Sequence, residues 1–76
     1  MDRWLERVGA ELGVEGGIEE DALLDAARVV AHSIERKMTP LTTYLIGVAA
    51  AQQPQGERDV GAICRKVVEL AEDWER

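Results

Sequence analysis

Cys64, His32 and a few hydroxyls are the side chains of this sequence with nucleophilic or acid–base chemistry to offer. A reactive thiolate needs a basic neighbour and some exposure, and a metal-bound one needs companion ligands. Arg65 and Lys66 follow Cys64 directly, but adjacent positions on a helix do not face each other. Cys64 falls on an apolar stripe with Val60, Val67, Ala71 and Trp74, so it reads as a buried structural residue. His32 lies on a polar face, with Arg28 and Arg36 one turn away on either side and Asp25 two turns back. Two arginines repel a metal ion, and no nucleophile stands within helical reach of the imidazole. Ser33, Thr42 and Thr43 lack a partnered base, and in helices such hydroxyls bond a carbonyl one turn back or face water. Glu19, Glu20 and Asp21 lack the order and the closing Glu of a calcium loop. Gly13, Gly16 and Gly17 follow no strand and do not have dinucleotide-loop spacing. The sequence therefore yields no catalytic residue, no metal ligand set and no cofactor site, and the chain is not expected to be an enzyme.

These residues sit on four segments whose apolar positions recur with a period near 3.6. The first places Trp4, Leu5, Val8 and Leu12 on one face, and Gly13 suits the left-handed residue that ends a helix, which predicts a helix over 3–12. The second carries Leu23, Ala27, Val30, Ala31 and Ile34 as a stripe, with Leu24 at its edge. Acids at its start and Arg36-Lys37 at its end suit the helix dipole, which predicts a helix over about 20–36. Thr39-Pro40 reads as an N-cap followed by proline at the first helical position. From Leu41 to Ala51 the chain is apolar nearly all round, the signature of a helix at the buried centre of a bundle. Gln53-Pro54-Gln55-Gly56 breaks it, and the last stripe runs from Val60 to Trp74 behind Glu57 and Asp59. Short joints between four helices predict an all-α fold, a small antiparallel four-helix bundle forming one domain over 1–76. In that arrangement the first helix starts where the last one ends, so Trp4 and Trp74 are expected at the same end.

The charge narrows the choice of partners. Fifteen acids against nine bases give a net charge of −6, which repels nucleic-acid backbones and anionic membrane surfaces. The imbalance is local: residues 1–25 carry eight acids and two bases, residues 26–66 three acids and six bases. A basic zone is thereby left in the middle of the chain, at the joint between the second and third helices. Arg36, Lys37 and His32 meet the expected start of the third helix at Thr39 there, and such a start offers backbone amides to an anion. His32, Arg36, Lys37 and Thr39 are the expected anion- or partner-binding residues. A bland reading stands beside it: the two bases complement the dipole of the second helix while Thr39 caps the third. One cysteine excludes an internal disulfide, and no apolar signal core precedes Trp4, so the protein is expected in the cytoplasm.

The run from Asp25 to Arg36, Asp-Ala-Ala-Arg-Val-Val-Ala-His-Ser-Ile-Glu-Arg, resembles a known bacterial family together with Thr39-Pro-Leu-Thr-Thr-Tyr-Leu-Ile-Gly-Val-Ala-Ala after it. The family is a small helical domain of unknown function associated with molybdenum-cofactor guanylyltransferases, alone or joined to their C-terminus. Trp4-Leu5, Glu11-Leu12-Gly13, Ala71 and Trp74 extend the likeness to most of the chain. The resemblance implies a setting, molybdopterin-guanine dinucleotide synthesis or cofactor insertion, and no catalytic residues. It implies a non-catalytic accessory module whose partner is a protein, either the guanylyltransferase or a molybdoenzyme maturation factor. The alternative is a small binding protein for an anionic phosphorylated ligand such as a pterin phosphate.

Overall fold

The computed structural model describes residues 3–14 and 17–74 and contains four helices, with no strand among those residues. They are α1 (Arg3–Leu12), α2 (Glu20–Ser33), α3 (Met38–Gln52) and α4 (Val60–Glu72). The chain is all-α, as its periodicity predicts.

Each terminus follows from local chemistry. Gly13, at φ +72°, ends α1 in the left-handed conformation. Its amide donates to the Ala10 carbonyl at 3.2 Å, and that of Val14 to the Gly9 carbonyl at 2.8 Å, the paired bonds of a Schellman ending. Glu20 and Asp21 occupy the first turn of α2, where the dipole favours negative charge. At the start of α4 the Asp59 carboxylate accepts from the Ala62 amide at 3.0 Å and so caps the helix.

The packed core belongs to α2, α3 and α4, which approach one another pairwise. Ala26, Ile46 and Cys64 form its first cluster, covered by Leu23, Val60 and Ile63. Val29, Val30 and Ala71 form the second, covered by Ile34 and Met38. The first halves of α2 and α4 thus share one cluster and their second halves the other. Met38 brings the beginning of α3 to the second cluster, and Ile46 brings its middle to the first. Small residues such as Ala26, Ala50 and Ala71 at the contacts let the helix axes draw close.

Four expectations change. First, α1 packs on none of the other helices at backbone level and buries no residue, so the core has three helices and α1 lies to its side. The radius of gyration, 13.0 Å, exceeds the roughly 11.4 Å of a compact 76-residue chain accordingly. Second, the two tryptophans lie toward opposite ends of α2. Trp4 borders a hollow with Glu20, Leu23 and Leu24, whereas Trp74 borders one with Val30 and Ile34. An α1 outside the bundle cannot return its start to the end of α4. Third, the buried side of α2 is centred on Ala26, Val29 and Val30, rotated from the stripe through Ala27 and Ala31, because α3 and α4 both pack there. Fourth, α3 is not buried all round: Ile46 is 2% exposed, whereas Leu41, Tyr44 and Leu45 are 58%, 72% and 64% exposed.

Candidate functional site

The joint between α2 and α3 is shorter in helix and longer in turn than its sequence suggests. Helix α2 stops at Ser33, where Ile34 leaves helical geometry (φ −111°, ψ −86°) and turns its side chain onto the second core cluster. Arg36 and Lys37 therefore stand in the turn and not in the last turn of α2. Helix α3 opens at Met38, with Lys37 as its N-cap and no side-chain cap bond. Thr39 is consequently not the cap but the second residue of the helix. Pro40, third in line, is tolerated because the first-turn amides have no intrahelical acceptor to lose.

This geometry brings the expected site residues to one joint and alters what they offer. His32, Arg36 and Lys37 are exposed. The Met38 amide donates to the Glu35 carbonyl and the Thr39 amide to the Arg36 carbonyl, both at 3.1 Å. The first two amides of α3 are thus occupied by the turn itself, and Pro40 has none. An anion at this joint would meet the Arg36 and Lys37 side chains rather than a ring of open backbone donors. Thr39 supplies the unusual feature: its Oγ1 is shut off from solvent and lacks a hydrogen-bond partner, alone among the described side-chain polar atoms. A buried hydroxyl left unpaired loses about 1–3 kcal/mol of solvation.

An apolar groove lies at the same end of the core. Val30 and Ile34 line it from α2, Thr42 from α3, and Val67, Leu70 and Ala71 from α4, with Trp74 beyond. Trp74 is about half exposed, as is Leu70. The sequence reading placed Trp74 on the core stripe; its i,i+4 spacing from Leu70, along the edge of that stripe, was the signal for an exposed wall.

The other reactive side chains hold structural positions. Cys64 is 2% exposed in the first core cluster. Burial pushes its thiol above the ordinary range, and the nearby Asp25 and Glu19 carboxylates add to that. Asp25 is itself engaged by Arg28, Nη2 to Oδ1, at 2.6 Å. Thr43 donates back to the Pro40 carbonyl at 3.0 Å, the one-turn bond expected of a helical hydroxyl. Among the described residues no three His, Cys, Asp or Glu side chains gather closely enough to hold a metal ion, and no helix is long and apolar enough to cross a membrane.

Fold and surface together define a small all-helical domain with a three-helix core, a side helix and one basic joint. The chain belongs to the family described as Domain of unknown function (DUF6457), whose model matches residues 1–76. No curated protein and no solved structure matches it.

Proposed function

We propose that this domain is a non-catalytic interaction module that docks a protein partner through α1. The observation that carries the reading is the state of that helix. Its sequence is strongly amphipathic, yet its backbone packs closely on none of the other helices and none of its residues is fully buried. Leu12 in α1, with Val14 and Ile18 beyond it, remains exposed. An amphipathic helix presenting its apolar face is the element that a groove on another protein recognises. Placing the partner in the molybdenum-cofactor pathway rests on the resemblance of the α2–α3 segment, and the partner proposed is a guanylyltransferase of that pathway or a molybdoenzyme maturation factor. The cytoplasm is the compartment this setting implies.

Isothermal titration of the domain into a purified molybdenum-cofactor guanylyltransferase tests both the docking and the setting. Saturable binding that is lost in Leu12→Glu supports the reading. Heats no larger than dilution would remove this partner.

A second reading, an anion site at His32, Arg36, Lys37 and Thr39, is favoured by the unpaired Thr39 Oγ1 beside two exposed cations. Amide shifts confined to residues 32–43 on titration with a pterin phosphate, abolished in Arg36→Ala, support it. A spectrum without saturable shifts would eliminate it.

A further inference from the structure

Helix α3 carries a surface that the folded single chain does not use. On a helical wheel Ile46 and Ala50, its buried residues, mark the side that faces α2 and α4. The opposite arc holds Pro40, Leu41, Tyr44, Leu45, Gly47, Val48, Ala51 and Gln52. Of these, all but Val48 are exposed. From Met38 to Gly56 the sequence contains no Asp, Glu, Lys, Arg or His, so the outer face of α3 is without charge along its whole length. The other three helices each carry charged residues. A helix apolar on both sides is one that is covered on both sides.

The area in question is large. The chain exposes 6137 Å². A compact monomer of 8.4 kDa exposes about 4,600 Å², leaving an excess of about 1,500 Å². A stable interface needs about 800 Å² from each partner, so an excess of this size, to which α1 and the outer face of α3 both contribute, is of the order an interface requires.

We propose that the outer face of α3 is a homotypic interface on which a second copy of this chain packs its own α3. Charge selects the occupant. Each copy carries −6, so two copies repel across any acidic surface and meet most cheaply on the face that carries none. A basic partner would be drawn instead to the acid-rich first third of the chain. Shape supports the same occupant. Tyr44, Gly47 and Ala51 fall on one side of the arc, one large residue followed by two small ones. In an antiparallel pair crossing between Gly47 and Val48, the Tyr44 ring of each copy lies over Ala51 and Gly47 of the other. The surface is thus self-complementary, as a two-fold interface requires. A Cβ added at Gly47 meets nothing within 4 Å in the single chain, so no intramolecular packing explains a glycine in mid-helix.

Analytical ultracentrifugation of the purified chain over a concentration series tests the proposal, with Tyr44→Glu and Gly47→Ala alongside. The parent should sediment as a species of twice the monomer mass. Tyr44→Glu should keep its helical spectrum and raise the dissociation constant by roughly a hundredfold or more, since each copy would then bury an unpaired carboxylate against Ala51 and Gly47 of the other. Gly47→Ala separates interface from helix propensity. Alanine strengthens a helix interior, so the monomer should melt a few degrees higher while the dimer weakens by about tenfold. A parent that stays monomeric at high micromolar concentration overturns the proposal. So does a dimer that both variants leave intact, because its interface would then lie elsewhere. Both results are independent of whether α1 binds another protein.

Discussion

The two faces of α3 are built from the same kinds of residue and have opposite fates. Ile46 and Ala50 point inward and are buried; Leu41, Tyr44 and Leu45 point outward and are exposed. Hydrophobicity alone does not distinguish them, because the helix is apolar nearly all round. What distinguishes them is the number of neighbours three helices can provide: α2 and α4 cover one side, and α1 does not pack on the other. A buried residue in such a core reports stability, whereas an exposed apolar one reports what the surface awaits.

The two ends of α3 repeat the contrast in polar chemistry. At its exit the joint is latched by side chains. Arg58 donates from Nε to the Gln53 carbonyl at 3.0 Å and from Nη2 to the Ala51 carbonyl at 3.4 Å. The Asp59 amide donates to Gln53 Oε1 at 3.0 Å, and Gly56 takes the turn at φ +93°. At its start no side chain caps the helix, two cations are exposed and one hydroxyl is buried without a partner. The exit is built for rigidity, and the start carries groups that local structure leaves unused.

The largest test of the contrast between faces is Ile46→Ala. Truncating a fully buried aliphatic side chain should destabilise the domain by about 2–5 kcal/mol, a large part of the roughly 4–11 kcal/mol expected for this chain length. Urea unfolding checks it, and a loss under 1 kcal/mol would mean that the inner face is not the core. Next, Asp59→Ala removes the latched exit's cap and should lower stability by about 0.5–2 kcal/mol. An unchanged midpoint would put the two ends on an equal footing. Thr39→Val acts on the other end with the opposite sign. Removing an unpaired buried hydroxyl while keeping the side-chain shape should stabilise the fold by up to about 1 kcal/mol. Destabilisation would reveal a partner for Oγ1.

Leu45→Ala probes the outer face at dilute, monomeric concentration, where it should move stability by no more than about 0.5 kcal/mol. A loss comparable to that of Ile46→Ala would erase the distinction between faces. The smallest effect belongs to Cys64, the neighbour of Ile46 in the first cluster, and at neutral pH its ionisation has none. Its folded thiol pKa is raised, so the native state holds the proton more tightly than the unfolded chain does. The stability this contributes is present below the unfolded thiol pKa of about 8.5 and declines as pH rises through the folded value. Cys64→Ala should flatten that alkaline decline in a pH series of melts, and a parent whose stability does not fall would contradict the burial of the thiol.

Sequence alone determined the elements. Period-3.6 stripes located all four helices, and Gly13 marked an end while the acids Glu57 and Asp59 marked a start, because a left-handed residue and a dipole-matched charge are requirements a few residues long. The burial of Cys64 followed from its place on a stripe. Tertiary structure decided which apolar surfaces meet. The amphipathic pattern of α1 states that it has an apolar face and not where that face goes, and the uniform pattern of α3 contains no direction at all. The turn after Ser33 likewise depended on Ile34 finding a place on Val29, Val30 and Ala71, about half the chain away in sequence from the last of these. That contact ended α2 early, moved Arg36 and Lys37 into the joint and left Thr39 inside α3 instead of at its cap. Periodicity is written in neighbours three and four residues apart, whereas the choice among faces is made by residues that only the folded chain brings together.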